Sequence, residues 1–430
     1  MRVLVLGGYG LIGLAVSKQL VRAGHSVVGL ARSERKGRAL LPQADWIAAD
    51  ISTLKTPDNW ADHLAGIDVV VNASGALQNG LKDDVAAVQR DAIIALIAAC
   101  ERVDVSRFVQ ISAPGADENS STQFYRTKGQ ADDALKASGL VWTVLRPGLV
   151  ISPHAYGGTS LIRMLAAFPY IQPVTLADVP VQTVSVDDVA MAVCAATQGE
   201  HDQQDLDLVE AEAQPLSDAI LQVRAWLGFA SPKAILRLPN WLGRALAKGA
   251  DIAGWLGWRS ALRSTALIVL EAGVQGDAKT WQARTGAPLK SLSETLRDMP
   301  STVQERIYAR TQLVMPIALI VLAGFWIASG VIGLMQQDKA AAVLAGVMPA
   351  TVSKLFVQLG SVADVIIGIA LLVRPLVRWA CAASILLATS YLVASAVFTP
   401  HLWADPSGPM VKVFPATALA LVVAALVEER

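Results

Sequence analysis

The residues best suited to chemistry stand at the start of the chain. Gly7-Gly8-Tyr9-Gly10-Leu11-Ile12-Gly13 follows the apolar run Val3-Leu4-Val5-Leu6 and precedes a helical pattern. From Gly7 it reads G-x-x-G-x-x-G, and from Gly8 it reads G-x-G-x-x-G. Glycines there let a strand turn sharply into a helix and let bare backbone approach a pyrophosphate, whose charge rests on the helix N-terminus. The spacing predicts a dinucleotide site built on Gly7, Gly8, Gly10, Leu11, Ile12 and Gly13. Further on, Leu30-Ala31-Arg32-Ser33 offers no carboxylate for a ribose 2′-hydroxyl, whereas Arg32, with Ser33 beside it, suits a 2′-phosphate. One charge-assisted hydrogen bond is worth about 1.5–3 kcal/mol. NADP(H) is therefore expected over NAD(H), with NAD(H) still admissible. Asp50, followed by Ile51, is placed either to accept from an adenine amino group or to cap a turn. The small residues of Asn72-Ala73-Ser74-Gly75 would let a cofactor lie close over a sheet edge.

Bringing these groups together requires a particular arrangement of elements. Short β-rich runs at 2–6, 26–31, 45–49, 68–72, 107–111 and 141–145 alternate with helix-period stretches such as 11–23 and 85–101. That alternation predicts an α/β fold, a Rossmann-type doubly wound parallel sheet with its ligand beyond the carboxyl ends of the strands. A nucleotide core over about 1–155 and a smaller substrate lobe over about 156–275 are expected, with His154 and Tyr156 near the pocket or on the surface. Trp241, Trp255 and Trp258 among Arg244, Lys248, Arg259 and Arg263 suit either a membrane interface or packing within the lobe.

The 430 residues leave room for two or three domains, and 36 basic residues cancel 36 acidic ones. That balance points away from a nucleic-acid partner. Cys100, Cys194 and Cys381 are far apart and the five histidines are scattered, so neither a disulfide framework nor a metal site is expected. Arg2 and the apolar run resemble the start of a leader, but the glycines, Lys18 and Arg22 argue against one.

The hydrophobic fraction of 53% is concentrated after about residue 311. A Gly/Pro/polar linker over about 276–310 leads to four apolar stretches near 312–335, 355–373, 376–398 and 411–427. Ser301 with Gln304 reads as a capping box for the entering helix. A span needs about 20 residues, so an all-α, four-helix transmembrane domain is predicted, the last helix short. Arg306, Arg310, Arg374 and Arg378 flank one side, which places both termini in the cytoplasm of a bacterial-type inner membrane. Asp364 lies inside the second stretch, where a carboxylate costs about 2.5–3.5 kcal/mol. It is read as a proton or quinone-head contact or as an interhelical hydrogen bond.

Three more segments, Val109-Gln110-Ile111-Ser112-Ala113, Phe124-Tyr125-Arg126-Thr127-Lys128 and Val144-Leu145-Arg146-Pro147-Gly148, complete a resemblance with the glycine turn. Over about residues 1–230 the chain resembles an atypical short-chain dehydrogenase/reductase, nearest the NmrA-like proteins and the nucleotide-binding accessory subunit of respiratory complex I. Val184-Ser185-Val186-Asp187-Asp188-Val189-Ala190 is similar to the strand-to-helix element of extended members. Residues 300–430, including Phe325-Trp326-Ile327-Ala328-Ser329-Gly330, resemble a DoxX-like membrane domain.

The resemblance implies a serine after the fifth strand, matched by Ser112, a lysine on the nicotinamide ribose, matched by Lys128, and Pro147 at the cofactor. Active members carry a Tyr four residues before that lysine; here Phe124 stands there, with Tyr125 one helical step, roughly 100°, away. Two functions follow. One is a membrane-anchored oxidoreductase moving a hydride to or from a lipophilic or quinone-like substrate, with Ser112, Lys128 and Tyr125 or water at the reacting centre. The other is a non-catalytic NAD(P)H sensor or assembly factor for a membrane complex.

Overall fold

The computed structural model describes every residue except Gln78, 81–83, Arg259, Ala261, Ala345 and 428–430. It divides into two compact units, Met1–Asp251 with Ser260–Ala309, and Ile252–Arg259 with Arg310–Arg430.

The first unit is built on a seven-stranded parallel sheet. Six strands fall where the hydropathy pattern places them: β1 (Arg2–Leu6), β2 (Ser26–Ala31), β3 (Asp45–Ala48), β4 (Val69–Asn72), β5 (Arg107–Ile111) and β6 (Trp142–Pro147). The sheet order is Gln204–Leu208, β6, β5, β4, β1, β2, β3, every neighbouring pair parallel. The order reverses beside β1, so the carboxyl ends of β1 and β4 open the crevice where such sheets take ligands. Helices α1 (Leu11–Arg22), α2 (Glu34–Leu40), α3 (Ala92–Arg102) and α4 (Gln123–Lys136) connect the strands. Alternate residues of β1 face opposite sides: Val3 and Val5 join the core packed on α1, Leu4 and Leu6 the core packed on α3. Both sides are buried and apolar, as parallel strands require.

Two expected boundaries move. The seventh strand, Gln204–Leu208, comes from beyond the anticipated end of the nucleotide core, and Val189, Val193 and Ala196 of the helix Val186–Thr197 pack with α1. Residues 276–309 are not a linker. They form the helices Ala278–Thr285 and Leu292–Asp298 and bury Trp281, Leu292 and Leu296 in the first unit. The cap on the entering helix also shifts by one residue. Thr302 N–H and Oγ–H donate to Glu305 Oε2 at 2.7 and 2.6 Å, and Gln304 N–H donates to Thr302 Oγ1 at 3.1 Å.

The second unit is helical. Val303–Met335, Ala350–Leu372 and the segment Arg374–Phe398 are long and apolar enough to cross a membrane; the fourth apolar helix, Val413–Leu426, has 14 residues. At 1.5 Å per residue that is about 21 Å, short of a hydrocarbon core of about 30 Å. Small residues set the helix crossings: a Cβ on Gly330 would lie 2.3 Å from Ser361 O, and one on Gly368 2.9 Å from Ala323 O. Asp364 is buried there and paired: Oδ2 accepts from Ser329 Oγ at 2.8 Å and Oδ1 from Tyr391 Oη at 2.9 Å. The interhelical hydrogen bond of the two sequence readings is thus present.

Candidate functional site

The β1–α1 turn forms the first wall. Gly7 adopts φ +67°, a left-handed conformation that L side chains rarely adopt. Its N–H donates to Leu30 O at 3.0 Å, and its carbonyl accepts from Gly10 N at 2.7 Å. Gly13 is required by contact rather than by angle: a Cβ there would stand 2.2 Å from Gly7 O. Helix α1 therefore lies directly on the turn. Its N-cap is Gly10, with no side chain to satisfy the first-turn N–H groups of Leu11, Ile12 and Gly13. Such a bare N-terminus beside a glycine turn fits a pyrophosphate.

Support for the turn comes from a residue that the motif does not include. Trp46, buried on β3, lies where a Cβ on Gly29 (2.5 Å) or Gly37 (2.2 Å) would clash, and 3.2 Å from the Cβ position of Gly8. Its indole N–H donates to Leu41 O at 3.0 Å. Nothing in the local sequence marks Trp46 beyond an aromatic in a strand.

At the neighbouring strand ends the remaining expected residues separate by role. Arg32 is exposed immediately after β2. Ser33 caps α2, its hydroxyl accepting from Lys36 N at 3.3 Å. Glu34 pairs with Arg38. Asp50 caps the 3-10 turn Ile51–Thr53, Oδ1 accepting from Ser52 N and Oγ at 3.0 and 2.8 Å, and Ile51 is core. The turn-capping role weighed for Asp50 is thus present. Asn72 is buried at the end of β4, donating to Gln110 Oε1 at 2.8 Å and accepting from Ser74 N at 3.1 Å. It shapes the edge over which Ala73, Ser74 and Gly75 run. The Cβ position of Gly7 lies 3.0 Å from Ala73 O, which brings this edge against the glycine turn. Pro147 closes β6, buried and paired in register with Leu208.

Ser112 and Lys128 meet beyond β5. Lys128, on α4, is buried and donates to Ile111 O at 2.9 Å; its Nζ lies 5.8 Å from the centre of the Phe124 ring. A Cβ on Gly75 would be 3.8 Å from Nζ, so the ammonium borders the β4 edge. Burial pulls this ammonium down to about 8, with Asp132 opposing. Ser112 Oγ donates to Asp132 Oδ2 at 2.5 Å. Asp132 is fully buried, and Arg146 Nη2 lies 3.6 Å from the same oxygen. Its other oxygen, Oδ1, is buried without a hydrogen-bond partner among the described residues. Burial raises the Asp132 carboxyl, while Ser112, Lys128 and Arg146 pull the other way.

Asp132 is a functional candidate the sequence reading missed. The available signal was spacing: Phe124, Lys128 and Asp132 follow at i, i+4 and i+8 on one face of α4. Gln89, in the π-helical turn Ala87–Asp91, is another. It donates to Ala76 O at 2.7 Å and accepts from Thr127 Oγ1 at 2.9 Å, tying the loop after β4 to α4. π-turns of this kind are frequent at functional sites.

Tyr125 is not brought into this group. Its ring is buried against Phe124, 5.2 Å between centres, with Gly115 close by. Burial alone raises its phenol, with no cationic contribution to lower it. His154 and Tyr156 lie exposed after the sixth strand. Of the tryptophans near residue 250, Trp241 and Trp255 are exposed, while Trp258 donates to Leu372 O at 2.7 Å. Arg244 pairs with Glu271 and Arg263 with Asp251; Arg259 lies outside the described residues.

Residues 7–199 match a family model described as NAD(P)H-binding, and residues 323–421 match one described as DoxX-like. The chain is 31% identical over 146 residues to an NAD(P)H azoreductase of Xenophilus azovorans, covering 34% of this chain and 47% of that protein. It is 30% identical over 147 residues to the photosystem II assembly factor Ycf39 of Synechocystis sp., covering 34% and 44%. An NADPH-dependent quinone oxidoreductase from Escherichia coli, solved with NADPH, shares the fold at TM-score 0.54 and 18% identity, over 69% of this chain and 98% of that one. The chain thus joins a region similar to an NAD(P)H-binding family at its N-terminal end to a region similar to a DoxX-like family at its C-terminal end.

Proposed function

We propose that this protein is a membrane-anchored, NADP(H)-dependent reductase acting on a lipophilic carbonyl or quinone, with the Ser112–Asp132 pair delivering the proton that a tyrosine delivers elsewhere in the class. The observation that carries the reading is this buried hydroxyl–carboxyl pair beside Lys128, at the strand ends next to the glycine turn. Leu11, Ile12 and Gly13 would hold the pyrophosphate, Arg32 the 2′-phosphate, and Lys128 the ribose. Bound NADPH would supply the hydride that the substrate's electrophilic centre accepts. The Ser112 hydroxyl gives its proton to the substrate oxygen and takes one from the protonated Asp132 carboxyl. Asp132 is left as a carboxylate between Lys128 and Arg146, whose charges stabilise it. Arg306, Arg310, Arg374 and Arg378 support a cytoplasmic nucleotide domain, where NADPH is available. The azoreductase relative, named for NAD(P)H, accords with redox chemistry on this fold.

The test measures NADPH oxidation by detergent-extracted full-length protein against a panel of quinones and carbonyls. Asp132→Asn is expected to lower turnover about 10²- to 10⁴-fold, the usual worth of a general acid, while leaving NADPH affinity within a few-fold. Because the ribose contact uses the Lys128 ammonium, wild-type activity is expected to fall as pH rises through about 8. Turnover unchanged in Asp132→Asn sinks the relay, and a panel with no turnover sinks the enzyme.

A second reading has its own support. Phe124 in the tyrosine position and a buried Tyr125 are compatible with a nucleotide-binding sensor or assembly factor, as the relative Ycf39 is named. Tight NADPH binding with no turnover on any acceptor would favour it.

A further inference from the structure

We propose that the helix Asn240–Trp255 is an in-plane membrane helix whose exposed face docks on an anionic lipid surface. Its amphipathicity is inverted relative to a helix packed in a soluble protein. Gly243, Ala247 and Gly254 are buried, whereas Trp241, Ile252 and Trp255 are 68%, 66% and 72% exposed. These three large residues, with Ala245 and Lys248 between them, recur at intervals of four and three, so they line one side of the helix. The side that meets protein is made of small residues, and the side that meets solvent carries the bulk. Tryptophan beside lysine on one face is the composition of helices lying at the headgroup level, the indole reaching the acyl boundary and the ammonium an anionic phosphate.

Independent geometry fixes the depth. Residues 252–259 belong to the helical unit: Arg374 N donates to Leu256 O at 2.9 Å, and Trp258 Nε1 donates to Leu372 O at 2.7 Å. The Arg374 guanidinium also stacks over the Trp258 ring, 5.4 Å from its centre. Leu372 ends one membrane-length helix and Arg374 begins the next such segment. Residues 252–255, its last turn, share the unit of these spans and stand next to the turn between two of them, the level of the bilayer interface. The occupant inferred is the lipid surface itself, not a second protein.

The test uses full-length protein carrying Trp241→Cys or Ile252→Cys, labelled with a bimane and reconstituted in phosphatidylcholine vesicles with and without phosphatidylglycerol. The native cysteines are buried, and Leu40→Cys serves as an exposed reference on the nucleotide unit. At positions 241 and 252, lipids with a shallow nitroxide quench the label, and aqueous iodide quenches it at least fivefold less than at position 40. Lys248→Gln, or omission of phosphatidylglycerol, lowers the docked-to-free ratio by about fivefold, the worth of one cation at an anionic surface. Iodide quenching equal to that at position 40 overturns the proposal. So does shielding from both quenchers, which means that protein covers the face.

Discussion

Gly13→Ala sets two effects of opposite sign against each other at the centre of the nucleotide site. Replacing a glycine inside a helix by alanine normally stabilises by about 1 kcal/mol. Here the new Cβ would stand 2.2 Å from Gly7 O and 2.8 Å from Gly7 C, both backbone atoms. Gly7 has nowhere to retreat. Its N–H is held by Leu30 O, its carbonyl by Gly10 N, and Ala73 O lies 3.0 Å from its own Cβ position. Relief must come from moving α1 off the turn, and overpacking of this kind costs typically 1–3 kcal/mol. The clash exceeds the propensity gain. Displacing the first turn also misaligns the N–H groups proposed to receive the pyrophosphate, each charge-assisted bond being worth about 1.5–3 kcal/mol. Loss of one such bond weakens NADPH binding roughly 10- to 100-fold. Calorimetric titration of detergent-solubilised protein, with a thermal melt on the same sample, reads both effects. Unchanged NADPH affinity together with a raised melting temperature would show that α1 does not sit on the turn as described.

Two further substitutions probe neighbouring parts of the site. Arg32→Ala is expected to weaken NADPH binding roughly 10- to 100-fold while sparing NADH; equal loss for both cofactors would remove the 2′-phosphate as its partner. Trp46→Ala opens a cavity beneath the turn and deletes the bond to Leu41 O, costing about 3–5 kcal/mol. Its melting temperature should fall sharply, and a fall no larger than that of a surface substitution would refute its role as the support.

The legible parts of this chain are those encoded locally. Six strands and the glycine turn follow from short apolar runs and a fixed glycine spacing, which need no information from elsewhere in the sequence. The seventh strand does not. Gln204-Asp205-Leu206-Asp207-Leu208 has only two apolar residues, and both are buried. Its carboxylates make sense only in three dimensions: Asp205 pairs with Lys136 and Arg146, and Asp207 accepts from Asp277 N. Residues 276–309 read as a linker for the same reason. Polar and charged residues with two glycines and two prolines dominate their composition, while Trp281, Leu292 and Leu296 supply the burial.

The Ser112–Asp132 pair was hidden by a different cause. A pattern anchored on Lys128 directs attention to the residue four positions earlier, finds Phe124, and leaves Tyr125 as the nearest hydroxyl. One helical step is enough to take that hydroxyl out of the group, because a roughly 100° rotation points it at the loop around Gly115 instead of at the lysine. The same periodicity read in the other direction places Asp132 under Lys128, within reach of Ser112. Its importance cannot be inferred from residue type, since an aspartate on a helix is ordinarily a solvated surface group. What distinguishes Asp132 is complete burial with one oxygen on Ser112 and the other without a partner. The proposed relay requires the Ser112–Asp132 bond to reverse, a protonated Asp132 donating to Ser112 and freeing that hydroxyl to donate outward. Helix α4 thus sets an aromatic ring over Lys128 and a buried carboxyl one turn further on.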